Sequence, residues 1–414
     1  FRSANKGNAW TNIAGNHFSA EGQTSYGNAI AVHPENPNHV ICGGVDLHVT
    51  RNAGQTWRIA SHWDAARGAA DYAHADHHAL VMPPSPAGRV YSANDGGMDL
   101  SEDGGSAWRN RSAGLSVTMF YDMDVAQSDE RVFGGGAQDN GTLFTNTKAA
   151  DGFFELLGGD GGWAVVDPGE AGHVYASYQY GGMYRFRNGG SRNVSPPFKP
   201  AESGGMWMVY ITFDPNNASI VYTGNQRVYR TRNDGLSWDA LSPVLDGSPI
   251  SAIEIAPADT HCIYVGTENG GFFRSLDAGV SWSANLATST LPGVMITRIE
   301  SHPDNAREIY VTTANFGNSH VFRSVDNGTT WTDIDGGRLP DVPHHALLIR
   351  PDAVNTLYVC NDAGVFVTSN RGATWKNSTL NLPDVMVVDL VYHTGKKTLY
   401  AATYGRSIWR LPLS

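Results

Sequence analysis

Cysteine is scarce in this 414-residue chain, which holds only Cys42, Cys262 and Cys360. Three thiols spread so widely exclude a disulfide framework and a cysteine-based metal site, and we read them as buried side chains packing in strands. They leave the cellular compartment open. Charge is scarce as well: Asp, Glu, Lys and Arg make up 17% of the chain, and the net charge is −11. That balance argues against a nucleic-acid groove or an anionic membrane surface as partner. No apolar run approaches the roughly 20 residues of a membrane-crossing helix, so membrane insertion is not expected. Linkers, low-complexity tracts and charge blocks are also missing. One short Pro-rich stretch, Ser195-Pro-Pro-Phe-Lys-Pro200, falls where a loop belongs. Glycine (47 residues) and aromatics (10%) are plentiful, a composition typical of turn-rich, all-β, extracellular proteins.

Against this background one phrase recurs seven times: Ser or Thr, then Asp or Asn, then Gly, then a small residue and Trp, with single residues between the first four. Examples are Ser101-x-Asp103-x-Gly105-x-Ala107-Trp108 and Ser324-x-Asp326-x-Gly328-x-Thr330-Trp331. The tryptophans are Trp10, Trp57, Trp108, Trp238, Trp282, Trp331 and Trp375. A period of about 40–50 residues means one supersecondary unit copied many times. The chemistry of the phrase is local. The carboxylate or amide accepts backbone N–H groups a few residues on, glycine supplies a positive φ, and tryptophan anchors one unit on another. The wide interval between Trp108 and Trp238 holds two further units without the phrase, visible as Phe120–Ala126, Arg131–Phe133 and Thr142–Thr145, then Trp163–Val166, His173–Ser177 and Met183–Phe186.

The phrase resembles the Asp-box, or bacterial neuraminidase repeat, of sialidases, xyloglucanases and sortilin-type receptors. That resemblance implies β-propeller blades, with the box at a blade hairpin. It does not specify an activity. Counting first strands gives nine units, so we expect an all-β fold: one closed propeller of about nine four-stranded blades, or eight if two irregular units merge. The single domain 1–414 has blades starting near 24, 77, 119, 162, 207, 250, 295, 344 and 386. Residues 1–14 are expected to complete the last blade, because its own segment supplies three strands, and sharing a blade between chain ends hides edge strands. The chain opens at Phe1 inside a repeat, which we read as a mature or trimmed form.

In such blades the connections between second and third strands, and those from one blade to the next, share a face opposite the boxes. Functional residues are sought there. Leading into the second unit is Tyr72-Ala-His74-Ala-Asp76-His77-His78-Ala-Leu80. Strand alternation puts His74, Asp76 and His78 on one face and His77 on the other. His344-His345-Ala-Leu347 stands at the equivalent place later on, so part of this cluster is repeat inheritance, and His78 and His345 are expected to pack. Hairpin turns on the same face carry Asp95, Asp139 and Tyr180, and Gly158-Gly-Asp160-Gly-Gly-Trp163 leads into the fourth unit.

Together these motifs look like secreted bacterial and fungal Asp-box proteins linked to extracellular polysaccharide. Three readings follow. A glycoside hydrolase needs paired carboxylates, here from Asp76, Asp95, Asp139 and Asp160 with His77, beside stacking or binding residues His74, Tyr121, Trp163, Tyr180 and Trp207. A polysaccharide lyase would use His74 or His77 with Tyr121 or Tyr180, and Arg227 or Arg406 to neutralise a uronate. A binding module would hold a glycan or protein without turnover. In that case Ca²⁺ suits the oxygen-rich turns, and His with Asp suits a transition metal. Two departures matter. Xyloglucanases have two propellers where one is expected here, and the arginine-bearing motif and arginine triad of sialidases are not found. Hydrolysis of a polysaccharide outside the cell is the leading expectation.

Overall fold

The structure, a computed structural model, describes every residue except 16, 19–21, 24, 148–151, 199–206, 288–289, 380 and 414. The expected blade start near Thr24 and the last two residues of the Pro-rich stretch therefore lie outside the described residues. The fold is all-β, with nine antiparallel sheets in which each strand pairs with the next in sequence. We number them I (29–59), II (77–110), III (124–157), IV (161–193), V (211–240), VI (250–275), VII (296–333), VIII (344–377) and IX (387–412). Among the described residues, seven sheets have four strands, whereas VI and IX have three. Outside the sheets, the regular elements among the described residues are two single-turn 3₁₀ segments, at Gln179–Gly181 and Thr394–Lys396.

The chain divides into two compact units, 1–117 and 118–414. The first holds sheets I and II and a hairpin in which Arg2 pairs with Thr11. The second holds III to IX. There, contacts run from each sheet to the next, and the first strand of IX, Val387–His393, meets that of III, Asp124–Val125. The Phe120 N–H donates to the Thr403 carbonyl at 3.1 Å, and Met119 bridges to Tyr404. Contacts within this unit thus return to their start after seven sheets. This corrects the expected single cycle of nine. Thr11 takes Arg2 as its partner, so the N-terminal residues form their own hairpin.

The boxes build the turns expected of them. In sheet VII the Ser324 hydroxyl donates to Asp326 and accepts the Gly328 N–H, both at 2.8 Å, while Asp326 accepts the Thr330 N–H at 2.8 Å. Gly328 has φ +82°, and a Cβ there would meet Phe272 at 2.3 Å, so both conformation and packing require glycine. Replacing Asp326 by Ala removes the acceptor of this turn and is expected to cost about 1–2 kcal/mol in urea unfolding. The box turns pack on the hairpins between first and second strands, as where the Asn327 N–H reaches the Arg307 carbonyl at 3.0 Å. This leaves the other connections on the opposite side of each sheet. Of the cysteines, Cys262 and Cys360 are buried, Cys42 is half-buried, and all three are free.

Carboxylates tie neighbouring inner strands of the second unit. Asp122 accepts the Ala164 N–H at 2.7 Å and the Gly136 N–H at 2.9 Å, and Asp124 accepts the Val166 N–H at 2.8 Å. Glu254 accepts the Ser301 N–H at 3.0 Å, and Asp389 accepts the Met123 N–H at 3.2 Å, which joins IX to III. One cation serves this group: Arg298 pairs with Asp389 and donates to the Tyr210 hydroxyl at 3.1 Å. Burial pushes the Asp124 carboxyl up to about 7, even though backbone N–H groups pull the other way. Between about pH 4 and 7 the folded chain therefore holds a proton at Asp124 that the unfolded chain has lost, so this group's contribution to stability falls as pH rises through that window. Burial also lowers the His77 and His344 imidazoles, to about 3 and about 4, and these act with the opposite sign below pH 6.5. A difference curve isolates the carboxyl. The melting temperature of the wild type relative to Asp124→Asn should rise as pH falls from 7 to 4, and a flat difference would refute the assignment.

Candidate functional site

Each unit carries a group of the expected residues. In the first, the turn before sheet II places Asp76 at φ +61°, and the pairing of His77–Val81 with Val90–Asn94 slips between His77 and Ala79. That bulge inverts the alternation expected of a regular strand. His77 is fully buried, 0% exposed, and hydrogen-bonds Ser92 Oγ at 2.7 Å. Burial lowers its imidazole to about 3, so the ring is neutral, and it is packed away from solvent. His78, expected to pack, instead stands outward with Nε2 2.7 Å from Asp95 Oδ1, while Tyr26 donates to the other oxygen of Asp95 at 3.0 Å. Sheet VIII repeats the arrangement: His345 lies 2.7 Å from Asp362, and buried His344 contacts Asn361 at 3.1 Å. The histidine–aspartate pair is thus a feature of the repeat. Asp76 is buried with its N–H on the Val45 carbonyl, and His74 is half-buried with its N–H on Asp99.

The second unit brings more of the expected residues together. Asp160, in the connection from III to IV, accepts the Asp139 N–H on one oxygen at 2.9 Å and the Gln179 side-chain amide on the other at 3.2 Å. Asp139 lies in the 138–140 turn of sheet III at φ +55°. The Tyr180 N–H donates to the Trp207 carbonyl at 2.9 Å, and the two rings meet edge to face at 5.4 Å. Tyr180 is 70% and Trp207 42% exposed, leaving an aromatic ledge open to solvent. Tyr121 lies beside Tyr404, with ring centres 5.9 Å apart, and the Tyr404 hydroxyl donates to Gln138. Burial raises the Tyr121 phenol, Tyr404 and Asp160 add to that, and a hydrogen bond with Trp207 offsets part. The result is a cluster of two carboxylates, two amides and four aromatics on connections of sheets III, IV and IX.

Trp163 belongs elsewhere, packing on Tyr210 at 5.2 Å. Arg406 turns its guanidinium to the Gly405 carbonyl at 3.1 Å, and Arg227 is half-buried in its turn. Gln138, Gln179 and Tyr404 were not singled out from the sequence, although each sits in a turn already marked as facing the site. Among the described residues, one three-ligand group of suitable spacing is present: Asp167, Glu170 and His173 in a hairpin of sheet IV. It is partly paired internally, with His173 Nδ1 3.0 Å from Asp167 and Arg187 2.6 Å from Glu170.

The chain matches no protein-family profile. It is similar to a xyloglucanase of Acetivibrio thermocellus, 26% identical over 268 residues, covering 54% of this chain and 32% of that protein. A xyloglucanase of Hypocrea jecorina is 25% identical over 279 residues, covering 54% and 33%. The vacuolar protein sorting/targeting protein 10 of Mycosarcoma maydis is 26% identical over 137 residues, covering 30% and 9%. The chain thus spans about a third of the length of the xyloglucanases it matches. Among solved structures, the Niastella koreensis GH74 enzyme covers 93% of this chain and 75% of its own at 16% identity, with a TM-score of 0.29, an overlap too loose to bear on function.

Proposed function

We propose that residues 118–414 form a seven-bladed propeller whose Asp139–Asp160 cluster hydrolyses an extracellular polysaccharide, with a β-linked glucan of the xyloglucan type as first candidate. The observation that carries this is the hydrogen bond from the Asp139 backbone N–H to the Asp160 carboxylate, which holds the two residues together beside the exposed Tyr180–Trp207 ledge. Glycoside hydrolysis requires two carboxyl groups flanking one bond, and sugars stack on exposed aromatic faces. Asp160, with both oxygens fixed by N–H donors, takes the role of base or nucleophile, and Asp139 delivers the proton to the leaving oxygen. The similarity to xyloglucanases supports the substrate class, and the low charge and turn-rich composition support secretion.

A second reading, a glycan-binding propeller without turnover, is favoured by one detail. Both Asp160 oxygens are already taken, as in a carboxylate that only braces its loops. A lyase fits less well, because the Tyr121 phenol is raised and its neighbours are acidic. The deciding experiment incubates the protein with a panel of neutral and uronic polysaccharides and follows both reducing ends and the ultraviolet absorbance of unsaturated products. Reducing ends alone support hydrolysis, and both signals together indicate a lyase. Binding in the absence of either signal favours the second reading.

A further inference from the structure

Gln179 holds Asp160 at two points. Its Oε1 accepts the Asp160 N–H and its Nε2 donates to Asp160 Oδ2, both at 3.2 Å. The other carboxylate oxygen, Oδ1, takes the Asp139 N–H at 2.9 Å. Gly159, at φ +84°, leaves the room this needs, since a Cβ there would meet Gln179 Oε1 at 2.7 Å. The backbone beneath is confined as well: a Cβ on Gly161 of sheet IV would meet the Gly141 carbonyl oxygen of sheet III at 2.4 Å. What freedom Asp160 retains lies in its side-chain torsions, and the amide of Gln179 restrains those.

The same short segment carries the aromatic ledge. Gln179 opens the turn Gln179–Gly181, and Tyr180 is its middle residue. Tyr180 has φ +61°, a left-handed conformation uncommon for a residue with a side chain, and its N–H is held by the Trp207 carbonyl at 2.9 Å. Strain of this kind persists only where the surroundings over-determine it, and it gathers at ligand sites. One strained turn therefore fixes the carboxylate through one residue and presents an exposed ring with the next.

We infer that Gln179 is a positioning residue, which holds the Asp160 carboxylate in a single orientation toward a sugar seated on the Tyr180–Trp207 ledge. It acts through Asp160 and makes no demand on the substrate itself. The chemical use of that orientation rests on the hydrolase reading above, whereas the orientation does not.

Two variants test this. Gln179→Met removes both hydrogen bonds at similar side-chain length. Gln179→Glu keeps an acceptor for the Asp160 N–H but sets a second carboxylate against Oδ2. In the wild type, three-bond NMR couplings from the Asp160 backbone nitrogen and carbonyl carbon to its carboxyl carbon should report one side-chain rotamer. In both variants they should average over several, with the amide spectrum of the folded chain otherwise retained. On a polysaccharide that the wild type cleaves, Gln179→Met should lower kcat by about 10- to 10²-fold with KM nearly unchanged, as expected of a misplaced reacting group. Gln179→Glu should also move the acid limb of the pH–rate profile to higher pH, because a like charge disfavours the ionised carboxylate. A wild type that cleaves nothing while the couplings average in the variants upholds the positioning role and removes the hydrolase reading. A single Asp160 rotamer in both variants, or a Gln179→Met protein with the kcat of the wild type, overturns the inference.

Discussion

Replacing Arg298 with Met is expected to destabilise the second unit by about 3–5 kcal/mol, the range for removing one partner of a buried ion pair. Its guanidinium pairs with Asp389, donates to Tyr210 and lies over the Tyr210 ring at 5.9 Å. Around it the Asp122, Asp124, Glu254 and Glu300 carboxyls are all raised by burial. Methionine fills a similar volume but leaves the Asp389 charge in an apolar surround, with Asp389 still accepting the Met123 N–H that joins IX to III. At about 2–4 °C per kcal/mol for a unit of this size, the melting temperature should drop by roughly 10 °C. The double variant Arg298→Met/Asp389→Leu should recover much of the loss, because charge and counter-charge leave together. A single-variant effect below about 1 kcal/mol in urea unfolding would mean that the pair is solvated and the account of it mistaken.

The second large effect concerns chemistry. Asp160→Asn should lower kcat/KM on a cleaved polysaccharide by about 10²–10⁴-fold, the usual contribution of a positioned acid or base, with the fold retained because the amide still offers an oxygen to the Asp139 N–H. Asp139→Asn should be similarly impaired. Trp207→Ala should act mainly on KM, by roughly tenfold if one stacking contact of about 1.4 kcal/mol is lost. If Asp160→Asn binds glycan normally and the wild type turns none over, the carboxylate braces the 138–140 and 179–181 turns and the protein is a binding module. Full turnover in Asp160→Asn would move catalysis away from this cluster.

Much of the architecture was legible because the box couples local turn chemistry to a fixed place in each unit. The expected starts at 77, 162, 250, 295, 344 and 386 lie within one residue of observed first strands. The division at residue 117 was not legible, since the repeat grammar is the same on both sides, and what separates the units is which sheet meets which. His77 and His78 exchanged roles because a bulge and a positive φ at Asp76 broke the two-residue period. Nothing in the local residue types announces such a slip. Asp122, Asp124 and Asp389 read as ordinary polar positions of inner strands, because the N–H groups they accept lie 42 residues on, or 266 residues back for Asp389. The Asp139–Asp160 grouping was partly legible from turn position, whereas the supporting amides of Gln138 and Gln179 looked like turn filler.

The inter-sheet carboxylates all point one way along the chain, from Asp122 to the sheet IV strand, from Glu254 to that of VII, and from Asp389 round to the start of the unit. Sheet III is both giver and receiver of such a link, giving to IV and receiving from IX. Duplication of the repeat that holds sheet III would therefore leave a compatible giver facing a compatible receiver at the new junction, with no side chain to re-evolve there.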